Sequence, residues 1–309
     1  MHGRSPVAAF SFTLALVGTA TLAASAPSAS AQTIGVLKGS WEQAAAMADF
    51  PVLRPARTFG LRGRVSVERN GCEAPGKVVV RASFGRPSGK GAQLEVYEAH
   101  PRLCGDPGQV SRVRKVRVRG RTVWLYAFCE VVGSQCRVPT GGDRSWMTKL
   151  RLRTGTPRVV TAVGLTGSGI SARRFLRAAR SLRSVTPAAS VPLEEFLSSD
   201  GSIWCRIGRY DPADRFCVSH GGADEYGAAL LLDGTVHLCG GAQADPYAEC
   251  TQTWNPYALR LRDGLSSDFG GYTCTEQAGA MTCTVKEGSA QGSGFRVSAD
   301  GYEVLAGSP

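Results

Sequence analysis

Ten cysteines constrain this chain more than any other feature, because a bridge dictates which segments must be neighbours. Cys72, Cys104, Cys129 and Cys136 precede the stretch Val185-Thr186-Pro187-Ala188-Ala189-Ser190-Val191-Pro192; Cys205, Cys217, Cys239, Cys250, Cys274 and Cys283 follow it. Even numbers on each side of a Pro/Ala/Ser connector are what two separately oxidised domains give. The spacings of 32, 25 and 7, then 12, 22, 11, 24 and 9, contain no pair at the close separation of a structural zinc site. No CxxC occurs either, which argues against a redox or folding helper. Pairing neighbours in sequence gives Cys205–Cys217, Cys239–Cys250 and Cys274–Cys283, each closing a hairpin-sized loop and each contributing about 2 to 4 kcal/mol. In the first group Cys129–Cys136 is the natural short loop, which leaves Cys72–Cys104.

An oxidising destination agrees with the amino terminus. A short positive stretch ending at Arg4 precedes an apolar run from Val7 to Ala24, and Ala29-Ser30-Ala31 then offers the small-x-small pattern that a signal peptidase cuts after. Ser, Thr and Gly interrupt the run, which favours cleavage over a retained membrane anchor. The expected organisation is therefore a signal peptide at 1–31, a first domain at 32–185, a linker at 186–195 and a six-cysteine domain at 196–309. Release after Ala31 would place the protein in the extracellular space or the cell envelope.

Charge separates the two parts as sharply as the linker does. Residues 32–190 hold 28 Lys and Arg against 9 Asp and Glu, a net of +19, whereas 191–309 hold 7 against 16, a net of −9. The whole-chain value of +11 hides this division. Docking of the acidic part on the basic part is one expectation, since tethering raises their effective concentration.

The first domain opens with an expected helix, Trp41–Asp49, which Phe50-Pro51 ends because proline disfavours helical geometry in the residue before it. Period-two alternation follows in Val116-Arg117-Val118-Arg119, in Thr122–Tyr126 after a turn at Gly120, in Lys149–Arg153, and in Arg158–Val163 after the turn Thr154–Pro157. A second helix is expected from Ser171, its N-cap, to about Arg183: Phe175, Ala178, Ala179 and Leu182 share one side, and Arg173, Arg177 and Arg180 the other. These elements predict an α+β first domain, an antiparallel sheet with an N-terminal and a C-terminal helix. The second domain reads as a small disulfide-stapled all-β unit with turns such as Asp233-Gly234.

Two resemblances accompany this reading. The F-P-x-x-x-P element (Phe50, Pro51, Pro55), the strand-rich middle and the final Ala179-Arg180-Ser181-Leu182 helix resemble the α+β domains of bacterial exported lipoproteins and anti-sigma-factor-like envelope proteins. That likeness suggests ligand binding or sensing, although the four cysteines depart from the pattern. Phe196-x-Ser198-x-x-Gly201-x-Ile203-x-Cys205, Arg215-Phe216-Cys217, Gly271-Tyr272-Thr273-Cys274, Thr282-Cys283, Gly292-x-Gly294-Phe295 and Tyr302 are similar to a six-cysteine exported domain of unknown function from high-GC Gram-positive bacteria. That resemblance implies no activity.

Catalytic signatures are sparse. The three histidines after residue 31 are His100, His220 and His237. No G-x-S-x-G elbow occurs, and Ser168, in Gly167-Ser168-Gly169, reads as a loop before the Ser171 helix. His220 with Asp224 and Glu225 has the donor types of a metal site but sits in a Gly-rich polar stretch that reads as a solvated loop. Gly85–Gly91 lacks the Ser or Thr of a phosphate-binding loop. No catalytic residue, metal or cofactor is expected, and a hydrolase with an unfamiliar site is the alternative to a binding or sensing protein.

What stands out is a basic stripe: Arg112, Arg114, Lys115, Arg117, Arg119 and Arg121, with Lys149, Arg151 and Arg153 from a neighbouring strand and Trp124 and Tyr126 between them. Such a surface attracts polyanions. Outside the cell the expected partner is an anionic envelope polymer or lipid headgroups rather than nucleic acid.

Overall fold

Alternating apolar and polar residues govern most of this chain, and in the computed structural model they form strands. The structure describes residues 36–69, 76–85, 91–103, 109–132, 135–139, 144–154, 159–208, 215–220, 226–239 and 255–307. The expected signal peptide lies outside them.

The first strand, β1 (Val36–Gly39), leads into α1 (Trp41–Met47), whose start is set by a capping box. The Ser40 hydroxyl accepts from the Gln43 N–H at 3.2 Å, and the Gln43 side chain accepts from the Ser40 N–H at 2.8 Å. After β2 (Leu53–Pro55) come β3 (Arg62–Arg69), β4 (Val78–Gly85), β5 (Gln93–Ala99), β6 (Val110–Val118) and β7 (Arg121–Phe128). Then β8 (Glu130–Val132) and β9 (Gln135–Arg137) form a small ribbon closed by Cys129–Cys136. Two long strands, β10 (Trp146–Thr154) and β11 (Val159–Ser168), precede α2 (Ala172–Arg180) and β12 (Leu182–Ser184). The main sheet is antiparallel, in the order β1-β3-β4-β5-β11-β10-β7-β6. One face carries Val80, Leu94, Leu125 and Leu165, all fully buried, and α2 sets Phe175 against it.

The second half starts with β13 (Ser190–Val191), β14 (Glu195–Leu197), β15 (Ile203–Ile207), β16 (Arg215–Ser219), β17 (Gly227–Leu230), β18 (Val236–Cys239) and β19 (Leu259–Arg260). It ends with β20 (Ser266–Phe269), β21 (Tyr272–Gln277), β22 (Ala280–Val285), β23 (Gly294–Ser298) and β24 (Gly301–Leu305). They make two sheets, β18-β17-β16-β15-β14-β19 and β13-β20-β21-β22-β23-β24, whose inner faces meet. Ile203, Cys205, Cys217 and Leu230 from the first sheet face Tyr272, Cys274, Cys283 and Phe295 from the second.

Residues 186–195 are built into this structure. Val191 and Leu193 are buried, β13 pairs in parallel with β20, and the Leu193 N–H and C=O both bond the Ser267 hydroxyl, at 3.1 and 2.9 Å. The Ala188 N–H donates to the Glu42 carbonyl at 2.9 Å. Residues 33–309 form one compact unit.

The expectation of an α+β first domain is overturned, because strand makes up 57% of the structure and helix 7%. The helical signals were locally sound but ended early. α1 stops at Met47, ahead of Phe50-Pro51. α2 gives way at Ser181, whose hydroxyl bonds back to the Ala178 carbonyl at 2.8 Å, and Leu182–Ser184 pair with β2 instead of completing another turn. Helices of seven and nine residues cover too little of an eight-stranded sheet to form a layer of their own, so the strands define the class.

Three of the expected bridges are present: Cys129–Cys136, Cys205–Cys217 and Cys274–Cys283. Cys239 is disulfide-bonded. Cys72, Cys104 and Cys250, and with them the pairings Cys72–Cys104 and Cys239–Cys250, lie outside the described residues.

Candidate functional site

The basic stripe lies along the open edge of the main sheet, where β6 is the last strand and β7 and β10 are its inner neighbours. β6 and β7 are joined by the two-residue turn Arg119-Gly120, both with positive φ (47° and 74°), as a type I′ hairpin requires.

Residues opposed in register share a face, and the register sorts the stripe. Arg112 lies opposite Tyr126, Lys115 opposite Trp124 and Arg117 opposite Thr122. On β10, Met147 lies opposite Tyr126, so Lys149, Arg151 and Arg153 continue the same face, while Leu150 and Leu152 are buried on the other. A bulge between Arg112 and Arg114 makes this possible by leaving Val113 as an extra residue, 47% exposed. Without it Lys115 and Arg117 could not join Arg112. The doublet Arg114-Lys115, which breaks the alternation, is the sequence sign of that bulge.

The outer face thus brings together Arg112, Lys115, Arg117, Trp124, Tyr126, Lys149, Arg151 and Arg153, and all six cations are exposed. Arg112 and Lys115 both sit over the Trp124 ring, at 5.3 and 5.6 Å from its centroid. Three residues expected in the site are placed elsewhere. Arg114 shares the register of Leu125, Arg121 lies opposite Val118, and Arg119 occupies the turn with its guanidinium donating to the Leu182 carbonyl at 2.5 Å. Strands β6, β7 and β10 contain no acidic residue, so no carboxylate within them offsets this charge.

The middle of the same face is chemically different. On β5 the Glu95 carboxylate accepts from the Tyr97 hydroxyl at 2.5 Å, and from Ser83 and Thr166 at 3.4 Å, and pairs with Arg81 at 3.6 Å. Burial, together with the bond to Glu95, pushes the Tyr97 phenol up to about 12. Glu95 is saturated by its own neighbours, and among the described residues no ion pair reaches the cations at the β6 end of the sheet.

The histidines do not converge on a cleft. His100 follows β5 and its ring bonds the Val160 carbonyl at 2.7 Å, the His220 backbone N–H donates to the Ser202 carbonyl at 2.6 Å, and His237 lies on β18 opposite Ala229. Asp224, Glu225 and most of Gly85–Gly91 lie outside the described residues. One crevice is lined by Arg69, Lys77, Tyr257's neighbours Pro256 and Ala258, and Arg260; another lies between the two smaller sheets. Each offers about 10 Å³, close to what one water needs. Among the described residues the one group of His, Cys, Asp or Glu close enough to hold a metal is Cys205, Cys217 and Cys283, whose sulfurs are engaged in disulfides. No helix among those residues is long and apolar enough to cross a membrane.

No protein-family model, curated protein or solved structure is significantly similar to this chain. Its function must be argued from its own surface.

Proposed function

We propose that this is an exported, non-catalytic binding protein whose basic sheet face holds an anionic polymer of the cell envelope. The observation that carries the reading is the outer face of the acid-free strands β6, β7 and β10, on which register and alternation place six exposed cations, two of them over Trp124. Lys149, Arg151 and Arg153 alternate along one strand, so their backbone positions repeat about every 6.8 Å. A linear polymer with an anion in each repeat can follow such a row, and Trp124 and Tyr126 add apolar contact with its spacers. The disulfides and the amino-terminal pattern agree with export through cleavage after Ala31.

The test uses the oxidised chain from Gln32 onward, with poly(glycerol phosphate) and anionic phospholipid vesicles as separate probes. Binding to the polymer should weaken steeply with salt, as counterion release requires. The triple variant Lys149→Glu, Arg151→Glu, Arg153→Glu should lose about a hundredfold in affinity, at about 1 kcal/mol per basic residue. Unchanged affinity in that variant, or no binding to the polymer at low salt, would remove the proposal. Binding to vesicles alone would transfer the face to lipid headgroups.

A further inference from the structure

The main sheet forks between β7 and β10. Their ladder consists of Trp146–Ala127, Met147–Tyr126 and Thr148–Leu125, although β7 begins back at Arg121 and β10 runs on to Thr154. Among the described residues no further ladder pair joins the two strands. The tip of the β6–β7 hairpin is tied instead to the end of α2: the Arg119 guanidinium donates to the Leu182 carbonyl at 2.5 Å, and Arg180 Nε donates to the Arg117 carbonyl at 3.0 Å. The far part of β10 stays paired with β11 alone, as far as Thr154 opposite Val159.

Backbone direction along β10 follows from one bond at the joined end. The Phe128 N–H donates to the Ser145 carbonyl at 3.0 Å, so every second residue from Ser145 onward turns its backbone groups toward β7, and those between turn toward β11. Arg151 and Arg153 belong to the first set. Their N–H and C=O groups face the fork with no ladder partner, and both residues are exposed. The same alternation places their side chains, with that of Lys149, on the outer face, while Leu150 and Leu152 are buried on the inner one.

An unpaired strand edge is a template for another strand, and charge and hydrogen bonding decide which strand fits. A second copy pairing through the same edge would set arginines against arginines, and like charges directly opposed are unfavourable. A segment with a carboxylate at every second residue matches Lys149, Arg151 and Arg153 instead. A chain of phosphates accepts from the edge N–H groups but leaves the carbonyls unpaired, whereas a polypeptide satisfies both. The polymer binding proposed above needs only side chains of the outer face, and strand docking at this edge does not depend on it.

We propose that the open edge of β10 is a docking site for an extended acidic segment of a partner protein, which joins the main sheet as an antiparallel strand. Its carboxylates lie opposite Arg151 and Arg153 on the outer face, and the residues between them turn to the side of Leu150 and Leu152.

The experiment measures binding of a blocked peptide that alternates glutamate with valine and threonine to the oxidised chain from Gln32, at low salt. In antiparallel pairing the glutamate N–H groups face β10, so N-methylation of the glutamates should weaken binding about tenfold or more, as loss of backbone bonds requires. N-methylation of the residues between them should leave affinity unchanged. Amide hydrogen exchange at Arg151 and Arg153 should slow when the peptide is bound. On the protein, Arg151→Ala and Arg151→Pro both remove the guanidinium, but only proline removes the edge-facing N–H, a change that strand edges tolerate. The proline variant should bind the peptide about tenfold more weakly than the alanine variant. No binding of the parent peptide, equal affinity for it and its glutamate-methylated form, or unchanged exchange at both arginines would each overturn the proposal.

Discussion

Glu98 occupies a strand position whose parity belongs to the core. Leu94 and Val96 precede it at period two, both buried, and its opposed residues Val80 and Val163 are fully buried as well. The carboxyl is itself fully buried; one oxygen accepts the Leu53 N–H at 2.8 Å and the other has no hydrogen-bond partner. Burial therefore pushes its pKa well above the usual carboxylate value, against smaller opposing effects of the Leu53 bond and the charge of Arg119. Because the folded pKa is raised, Glu98 stabilises the fold fully below its unfolded pKa of about 4.3, and that stabilisation is lost as pH rises toward the folded value. Glu276, also raised by burial, acts in the same direction. Asp200 acts oppositely: although burial works against it, bonds from Ser198 and Ser202 hold its carboxyl low, so its contribution disappears only in acid. The variant Glu98→Gln keeps an acceptor for Leu53 and removes the ionisation. Denaturant midpoints measured from weakly acidic to mildly alkaline pH should fall less steeply for this variant than for the parent chain, and parallel curves would show that Glu98 does not ionise on unfolding. The position was visible in the sequence, since Gln93–Ala99 alternates cleanly with one acid on its apolar side. What alternation cannot reveal is which backbone segment would lie above that acid.

The elements themselves were legible to different degrees. Hairpins marked by a Gly turn, such as β6–β7 and β17–β18, lie where the sequence places them, because turn chemistry is a local property. The two helices were legible in position but not in weight. The α2 sequence has an apolar stripe, yet the stripe alone does not say that Leu182 will leave the helix for a ribbon with β2. The site followed the same division: its cations and Trp124 could be read directly, whereas the β6 bulge that decides which arginines share a face was marked only by an adjacent Arg and Lys. α2 docks through Phe175, which is fully buried, and its fit depends on Gly167. A Cβ at Gly167 would lie 2.8 Å from Ile170 and 2.9 Å from the Phe175 ring. Replacing Gly167 with Val should therefore lift the helix off the sheet and cost about 1 to 3 kcal/mol by overpacking. Equilibrium denaturation measures that loss; an unchanged midpoint would mean that Phe175 can move aside freely.

Across the whole molecule, charge and apolar contact make different demands. A net of +19 beside −9 suggests halves drawn together by long-range attraction. The contacts between them are of another kind. One apolar cluster runs from Leu37, α1 and the main sheet through Val191 and Leu193 to Phe196, Tyr272 and Phe295. Arg262 crosses between the halves to donate to the Ala48 carbonyl at 2.6 Å and the Ala46 carbonyl at 3.4 Å, at the end of α1 where a cation is favoured. Arg54–Glu42, Lys77–Asp49, Arg81–Glu95 and Lys286–Asp268, ion pairs seen among the described residues, each join partners within one half. The charge division could be counted in the sequence, but burial of Val191 and Leu193 could not, because a Pro/Ala/Ser composition is equally compatible with a free connector. Salt separates the two pictures, since screening shortens charge interactions to about 3 Å at 1 M while leaving apolar burial in place. Small-angle scattering of the oxidised chain from Gln32 should give the same dimensions at low and at molar salt, and thermal unfolding should show one cooperative transition for both halves. Expansion with added salt, or two resolved transitions, would mean that the halves associate by charge and that the continuous core contributes little.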